Sequence, residues 1–263
     1  MAYHLKSTIN GLVDGKNAAT SLTVFSTQDH SVPSYVRNIN HWASPHVQKL
    51  TCCSPWNSDG SFTKAGTLVS PRHVVFATHF LPAVSSTIRF IATDNTIVTR
   101  TITALESIPV TGSLFPDITI GVLDSDVPSS ISFAKVLPNG WESKLPNIES
   151  ARLPTVGTDQ EEKLLIRQAY RIASGQLNGN AVFTAPSDLS YLTFYENLIS
   201  GDSGNPCFFI INGDLVLLTV WSTGGGGAGT SVAAFKSEIN AIMTNLGGGY
   251  QLTEIDLSGF SNP

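Results

Sequence analysis

The chain has 263 residues, 41% of them hydrophobic and only 13% charged. That length and apolar content suit one large β domain or two smaller ones, with a polar surface built mainly from Ser, Thr, Asn and Gly. A net charge of −5 without a long basic run argues against nucleic acid as a partner, and no apolar run approaches the roughly 18 residues of a membrane span.

Sparse charge fits an extracellular or particle-associated protein better than a cytosolic one, yet the opening Met1-Ala2-Tyr3-His4-Leu5-Lys6 lacks the long apolar core of a secretory signal. Cys52, Cys53 and Cys207 are odd in number, and adjacent cysteines do not easily bridge in ordinary geometry; a bridge from Cys52 or Cys53 to Cys207 stays open but unsupported, and buried free thiols are the expectation for all three. No His, Asp, Glu or Cys cluster has ligand spacing, so neither a metal nor another cofactor is expected.

In chain order, residues 1–47 form an N-terminal extension outside the core, with one short β-type run at 21–25. Runs rich in β-branched and aromatic residues follow at 66–69, 73–76, 87–92, 96–102 and 118–123, within a first β unit spanning 48–135. A Pro-rich stretch, 136–154, reads as a linker into a second β unit that ends at 230. Its strand-like runs are 164–172, 191–195, 207–211 and 215–221, with Asn212-Gly213 as a hairpin signal between the last two. Val232, Phe235, Ile239, Ile242 and Met243 recur at helical spacing. Ser231 is placed to cap that helix, 231–247, and Gly247-Gly248-Gly249 to stop it. Residues 248–263 are left as a tail outside the core. The whole pattern predicts an all-β fold of barrels or sandwiches with one C-terminal helix.

The chemistry gathers at three places. Gly201-Asp202-Ser203-Gly204 sets a serine between two glycines, where the backbone can turn sharply and the amides of Gly201 and Ser203 can point at one spot, as an oxyanion hole requires. Asn205, not glycine, stands two after Ser203, which excludes the lipase-type elbow. A nucleophilic serine needs a base and the base an orienter. His79 ends an apolar strand, where its ring can be held open to a cleft, whereas His73 sits at a turn and is expected to face solvent. Asp117 heads the apolar run 118–123, where it could be half-buried and fix an imidazole tautomer. Asp124 and Asp126 read as ordinary loop carboxylates.

In the order His, Asp, Ser these segments resemble the chymotrypsin/trypsin-like serine protease family. Ser70-Pro71-Arg72-His73-Val74-Val75-Phe76-Ala77-Thr78-His79 is similar to its strand-turn-strand ending in Thr-Ala-Ala-His. Asp117-Ile118-Thr119-Ile120 is similar to its Asp-Ile-Ala-Leu, and residues 201–206 to its Gly-Asp-Ser-Gly-Gly-Pro with Asn205 for one glycine. The resemblance covers roughly residues 48 to 246. It implies two six-stranded antiparallel β-barrels with the site between them, hydrolysing peptide or protein substrates through an acyl-enzyme. Ser203 would be nucleophile, His79 base then acid, Asp117 orienter, and the Gly201 and Ser203 amides the oxyanion hole.

The resemblance further implies that Ser222 hydrogen-bonds Asp117, that the residues from Ser222 onward, Thr223 among them, bind substrate backbone as an added strand, that Gly224 lines the entrance to the specificity pocket, and that Asn197 lies in that pocket. Phe80 stands where vertebrate members have a cysteine, Thr223 replaces a pocket Trp, and Asn197 is not the Asp that selects Lys or Arg. A neutral or apolar P1 residue is the expectation. No Arg/Lys-Ile-Val-Gly-Gly activation site precedes the core, so Asp202 must find a partner other than a new amino terminus. Two alternatives stay open. One is a catalytically silent protease-like domain used for binding or assembly through its terminal extensions, favoured if His79 Nε2 lies more than about 4 Å from Ser203 Oγ. The other is an esterase or acyltransferase on the same scaffold.

Overall fold

Asn212 and Gly213 both adopt left-handed backbone, φ +50° and +81°, as a two-residue primed turn requires. The turn closes a hairpin in which β11 (Pro206–Ile211) and β12 (Asp214–Val220) pair from Ile211↔Asp214 outward. In the computed structural model, which describes residues 1–44, 46–55, 64–111, 115–145, 147–177 and 179–261, this hairpin edges the second of two curled antiparallel sheets.

The strands before it are β1 (Phe25–Asp29), β2 (Ser34–Arg37), β3 (Thr67–Leu68), β4 (His73–Phe76), β5 (Thr87–Ile91), β6 (Ile97–Ser107), β7 (Thr119–Leu123), β8 (Leu153–Thr158), β9 (Leu164–Ile172) and β10 (Asn180–Thr184); β13 (Ala228–Thr230) follows. Strands β1 and β2 form a separate hairpin. The first half-barrel has the order β3-β4-β7-β6-β5, and the second β12-β11-β8-β9-β10-β13. Six strands were expected in each. Among the described residues the first has five, with Cys53 adding one isolated bridge to Thr67.

Every residue of β7 and β8 is buried, although a half-barrel wall exposes one face of each strand. Helices cover the outer faces. The C-terminal helix Lys236–Leu246 lies on β6 and β7, and the N-terminal helix Ala2–Val13 lies on β8 and β11. Residues expected outside the core are therefore part of it. Leu5 and Ile9 are buried, as are Leu252, Ile255 and Leu257 of the tail. The tail is tied down by Val136 N to Thr253 O and Ile255 N to Val136 O, both 2.9 Å. Within the expected linker, Leu137, Trp141 and Leu145 are buried too.

Other expectations fail for local reasons. Residues 18–21 are a helical turn, capped by the Asn17 side chain accepting from Ala19 N at 3.1 Å, and the strand starts only at Phe25. Residues 189–192 are likewise helical, because Asp188 Oδ1 accepts from Ser190 N at 3.0 Å. Ser231 caps nothing. It precedes a 3-10 turn, Val232–Phe235, and its hydroxyl donates to Ala173 O at 2.6 Å. His73 faces inward and is fully buried, its Nδ1 2.9 Å from Ser70 Oγ. All three cysteines are free; Cys52 and Cys207 are buried and Cys53 half-buried, and burial pushes the Cys207 thiol up to about 12. Among the described residues no helix is long and apolar enough to cross a membrane.

The segment after β2 carries a second buried histidine. His41 Nε2 donates to Leu22 O at 3.0 Å and Nδ1 accepts from Ala43 N at 2.9 Å, so only the neutral ring satisfies both. Burial lowers its pKa to about 4 from 6.5. A histidine whose folded pKa is depressed loses stability as pH falls from its unfolded value through its folded one. Between pH 7 and 5 the native protein is expected to lose about 2 kcal/mol more than a His41→Gln variant, measured by urea unfolding. Equal losses would show that His41 is not the group titrating.

Candidate active site

β4 and β7 pair in the register Phe76↔Thr119. Continuing that register beyond the strand end brings residue 79 beside residues 116–117, which is why a histidine just past β4 meets an aspartate just before β7. Past Phe76 the chain turns through Thr78–Phe80, and His79 projects with its side chain about half exposed, 46% against 20% for Asp117. Asp117 holds it at two points. Oδ1 accepts from His79 N at 2.9 Å and Oδ2 from Nδ1 at 2.7 Å. With its proton on Nδ1, the neutral ring has Nε2 as an acceptor, and Ser203 Oγ lies 2.8 Å from it. The three residues form one hydrogen-bonded chain from one half-barrel to the other.

Ser203 reaches that position on a loop shaped by its glycines. Gly201 has φ +103° and Gly204 φ +86°, and a Cβ on Gly204 would sit 2.9 Å from Ala65 O. Asp202 is buried, 3% exposed, and its partners are main-chain amides: Gln160 N to Oδ1 at 3.0 Å and Ile199 N to Oδ2 at 2.6 Å. Both partners of the Asp202 carboxylate thus come from within the fold. Asn205, where the family pattern has glycine, bonds within the same loop, Nδ2 to Asp202 O at 3.2 Å and Oδ1 from Thr158 Oγ1 at 3.1 Å.

Two expected partners differ. Ser222 Oγ is buried without a hydrogen-bond partner among the described residues, and so does not reach Asp117. Thr230 on β13 takes the anchoring part instead, its hydroxyl accepting from Asp117 N at 2.8 Å. Asn197 is exposed, accepts from Tyr195 Oη, and does not line the cavity beside Ser203. That cavity, about 340 Å³, is walled by Leu198, Ile199, Trp221, Ser222, Thr223 and Gly224. A two-way backbone pairing of Leu198 with Gly225, 2.9 Å each way, brings the two loops bounding it together.

Behind Trp221 lies Arg167, which was not singled out from the sequence. Its guanidinium is fully buried, stacked 5.2 Å from the Trp221 ring and 5.1 Å from Tyr195. It donates to Glu196 O at 2.8 Å and Gly226 O at 3.1 Å, so it pins the two loops that frame the cavity. Desolvation holds its pKa below the usual arginine value. The available signal was a lone arginine inside the apolar run 164–166 and 169.

Elsewhere the fold offers less chemistry. A cavity of about 280 Å³ under the N-terminal helix is lined by Lys6, Arg152, Ser187 and Tyr191, and the Ser187 hydroxyl is hydrogen-bonded to Gln168 and Arg152 rather than to a base. Asp159, Glu161 and Glu196 come close enough to share a cation. Lys163 Nζ already sits against Glu161 and Glu196, at 2.7 and 2.8 Å.

No family model matches the chain, and no curated protein sequence matches it. Among solved structures, human heparin binding protein is similar at a TM-score of 0.55 and 16% identity, over 77% of this chain and 96% of that one. Identity that low speaks for the fold alone. With its two half-barrels and C-terminal helix, the chain has the chymotrypsin-like fold.

Proposed function

We propose that the chain is a serine endopeptidase working through an acyl-enzyme on Ser203. The observation that carries this reading is the continuous hydrogen-bonded chain from Asp117 through His79 to Ser203 Oγ, at 2.7 and 2.8 Å. As Ser203 Oγ attacks the scissile carbonyl, His79 Nε2 takes its proton, and Asp117 stabilises the imidazolium that results. The amides of Gly201 and Ser203 receive the developing oxyanion. His79 then protonates the leaving amine, and a water deprotonated by the same nitrogen releases the acyl group.

The cavity walls favour a neutral or apolar P1 side chain. Leu198, Ile199 and Trp221 line it, and the one carboxylate at its edge, Asp202, is occupied by two amides. Residues 222–224 offer an edge for the substrate main chain. The silent-domain reading asked for a gap beyond about 4 Å between base and nucleophile; the distance is 2.8 Å. Terminal segments packed on the half-barrels also speak against free docking arms. A polyanion such as heparin, named for the solved structure above, matches poorly with a net charge of −5.

A fluorophosphonate probe tests the reading directly. Peptide mapping by mass spectrometry is expected to place one adduct on Ser203 in the folded protein and none after denaturation. A folded protein that stays unlabelled, or is labelled elsewhere, removes the proposal. Relative rates on matched peptide and ester substrates separate an endopeptidase from an esterase.

A further inference from the structure

We propose that Gln160 is a positioning residue that orients the Ser200–Gly201 peptide and so aims the Gly201 amide at the substrate carbonyl; this rests on the acyl-transfer reading above. Gln160 lies in the turn between β8 and β9. That turn is stiff, because Asp159 Oδ1 accepts from the amides of Glu161 and Lys163, each at 2.9 Å. From it Gln160 grips the serine loop twice. Its main-chain amide donates to Asp202 Oδ1 at 3.0 Å, and its side-chain Nε2 donates to Ser200 O at 3.2 Å. Its carboxamide lies so close to Gly201 that a Cβ there would fall 2.5 Å from Oε1.

Gln160 does not itself line the Ser203 cavity. A trans peptide directs its C=O and N–H to opposite sides. With Ser200 O drawn back to Gln160, the Gly201 N–H is turned away from Gln160. A flipped peptide would present the Ser200 carbonyl to the developing anion instead, an acceptor where a donor is needed. Glycine at φ +103° tolerates either arrangement, so the choice between them falls to an outside tie. The two grips have separate tasks. The main-chain amide seats Asp202, while the side chain selects the peptide's orientation, and Gln160→Met removes only the second.

The experiment measures kcat and KM for an N-blocked alanine p-nitrophenyl ester on the native protein, Gln160→Met and Gln160→Ala. It adds Ki for the matching alanine boronic acid, which forms a tetrahedral adduct on the serine, and the thermal midpoint of each protein. In Gln160→Met, kcat is expected to fall about 10- to 100-fold with KM changed by less than about threefold. Boronate Ki should rise by the same factor as kcat/KM falls, whereas a purely structural role would move the thermal midpoint and leave that ratio alone. Gln160→Ala gives a second route to the same readout. Folded variants with kcat within about twofold of the native value overturn the proposal, as does lost turnover with unchanged boronate affinity. A native protein that neither cleaves the ester nor takes the fluorophosphonate fails for a different reason, and removes the acyl-transfer reading itself.

Discussion

Replacing Ser203 with alanine is expected to lower kcat/KM for peptide hydrolysis by about 10⁴-fold or more while leaving the fold intact. Among the described residues the Ser203 hydroxyl makes one hydrogen bond, to His79 Nε2, and its loop is held by other groups. Asp202 is tied to Gln160 N and Ile199 N, Gly204 N donates to Trp221 O at 3.0 Å, and Trp221 N to Asn205 O at 2.9 Å. None of these involves Oγ, so the thermal midpoint should stay within a degree or so, a surface-like change of under ~0.5 kcal/mol. Steady-state kinetics on the purified variant decides the matter. A folded Ser203→Ala protein that retains a tenth of native activity would place the nucleophile elsewhere.

Asp117→Asn comes next in size, about 10⁴-fold in kcat. The argument turns on which ring nitrogen carries the proton. Asp117 accepts at both oxygens, one from the His79 amide and one from Nδ1, which leaves Nε2 to receive the Ser203 proton. Asparagine has only one acceptor oxygen. If that oxygen keeps the His79 amide, the new NH2 faces Nδ1 and donates to it. The ring then protonates Nε2 and points a donor at Ser203 Oγ. Backbone geometry survives, because Asp117 N remains bonded to Thr230 Oγ1. The check is kcat against pH for the native protein and the variant, with a probe for total folded enzyme. A loss below about tenfold would mean that Asp117 orients the ring by packing rather than by tautomer.

What the sequence disclosed and what it hid divide along a physical line. His79, Asp117 and Ser203 were legible because each is a polar residue at the end of an apolar strand, and strand registers decide which ends meet. The hairpin at Asn212-Gly213 was legible because its conformation suits few other residue pairs. The partners of Asp202 were not legible, since both are main-chain amides, which carry no residue signature. The expected strands at 21–25 and 191–195 lost to the side chains of Asn17 and Asp188 capping helical turns. The N-terminal helix was written off as an extension, although Leu5, Ile9 and Leu12 already had helical spacing. Thr230 was not legible as an anchor of Asp117, because its hydroxyl accepts from the Asp117 main-chain amide, which carries no residue signature.

The crossed placement of the two terminal helices has a consequence for how the molecule is made. The helix at the start of the chain rests on β8 and β11, strands synthesised much later, and the helix at 236–246 rests on β6 and β7, strands synthesised much earlier. During synthesis the leading helix waits for most of the chain to emerge before it finds its seat, and the early half-barrel stays bare on one side until the late helix arrives. His79 and Asp117 stand on the half-barrel made first and Ser203 on the one made last, so the three side chains can meet only once both halves have been synthesised.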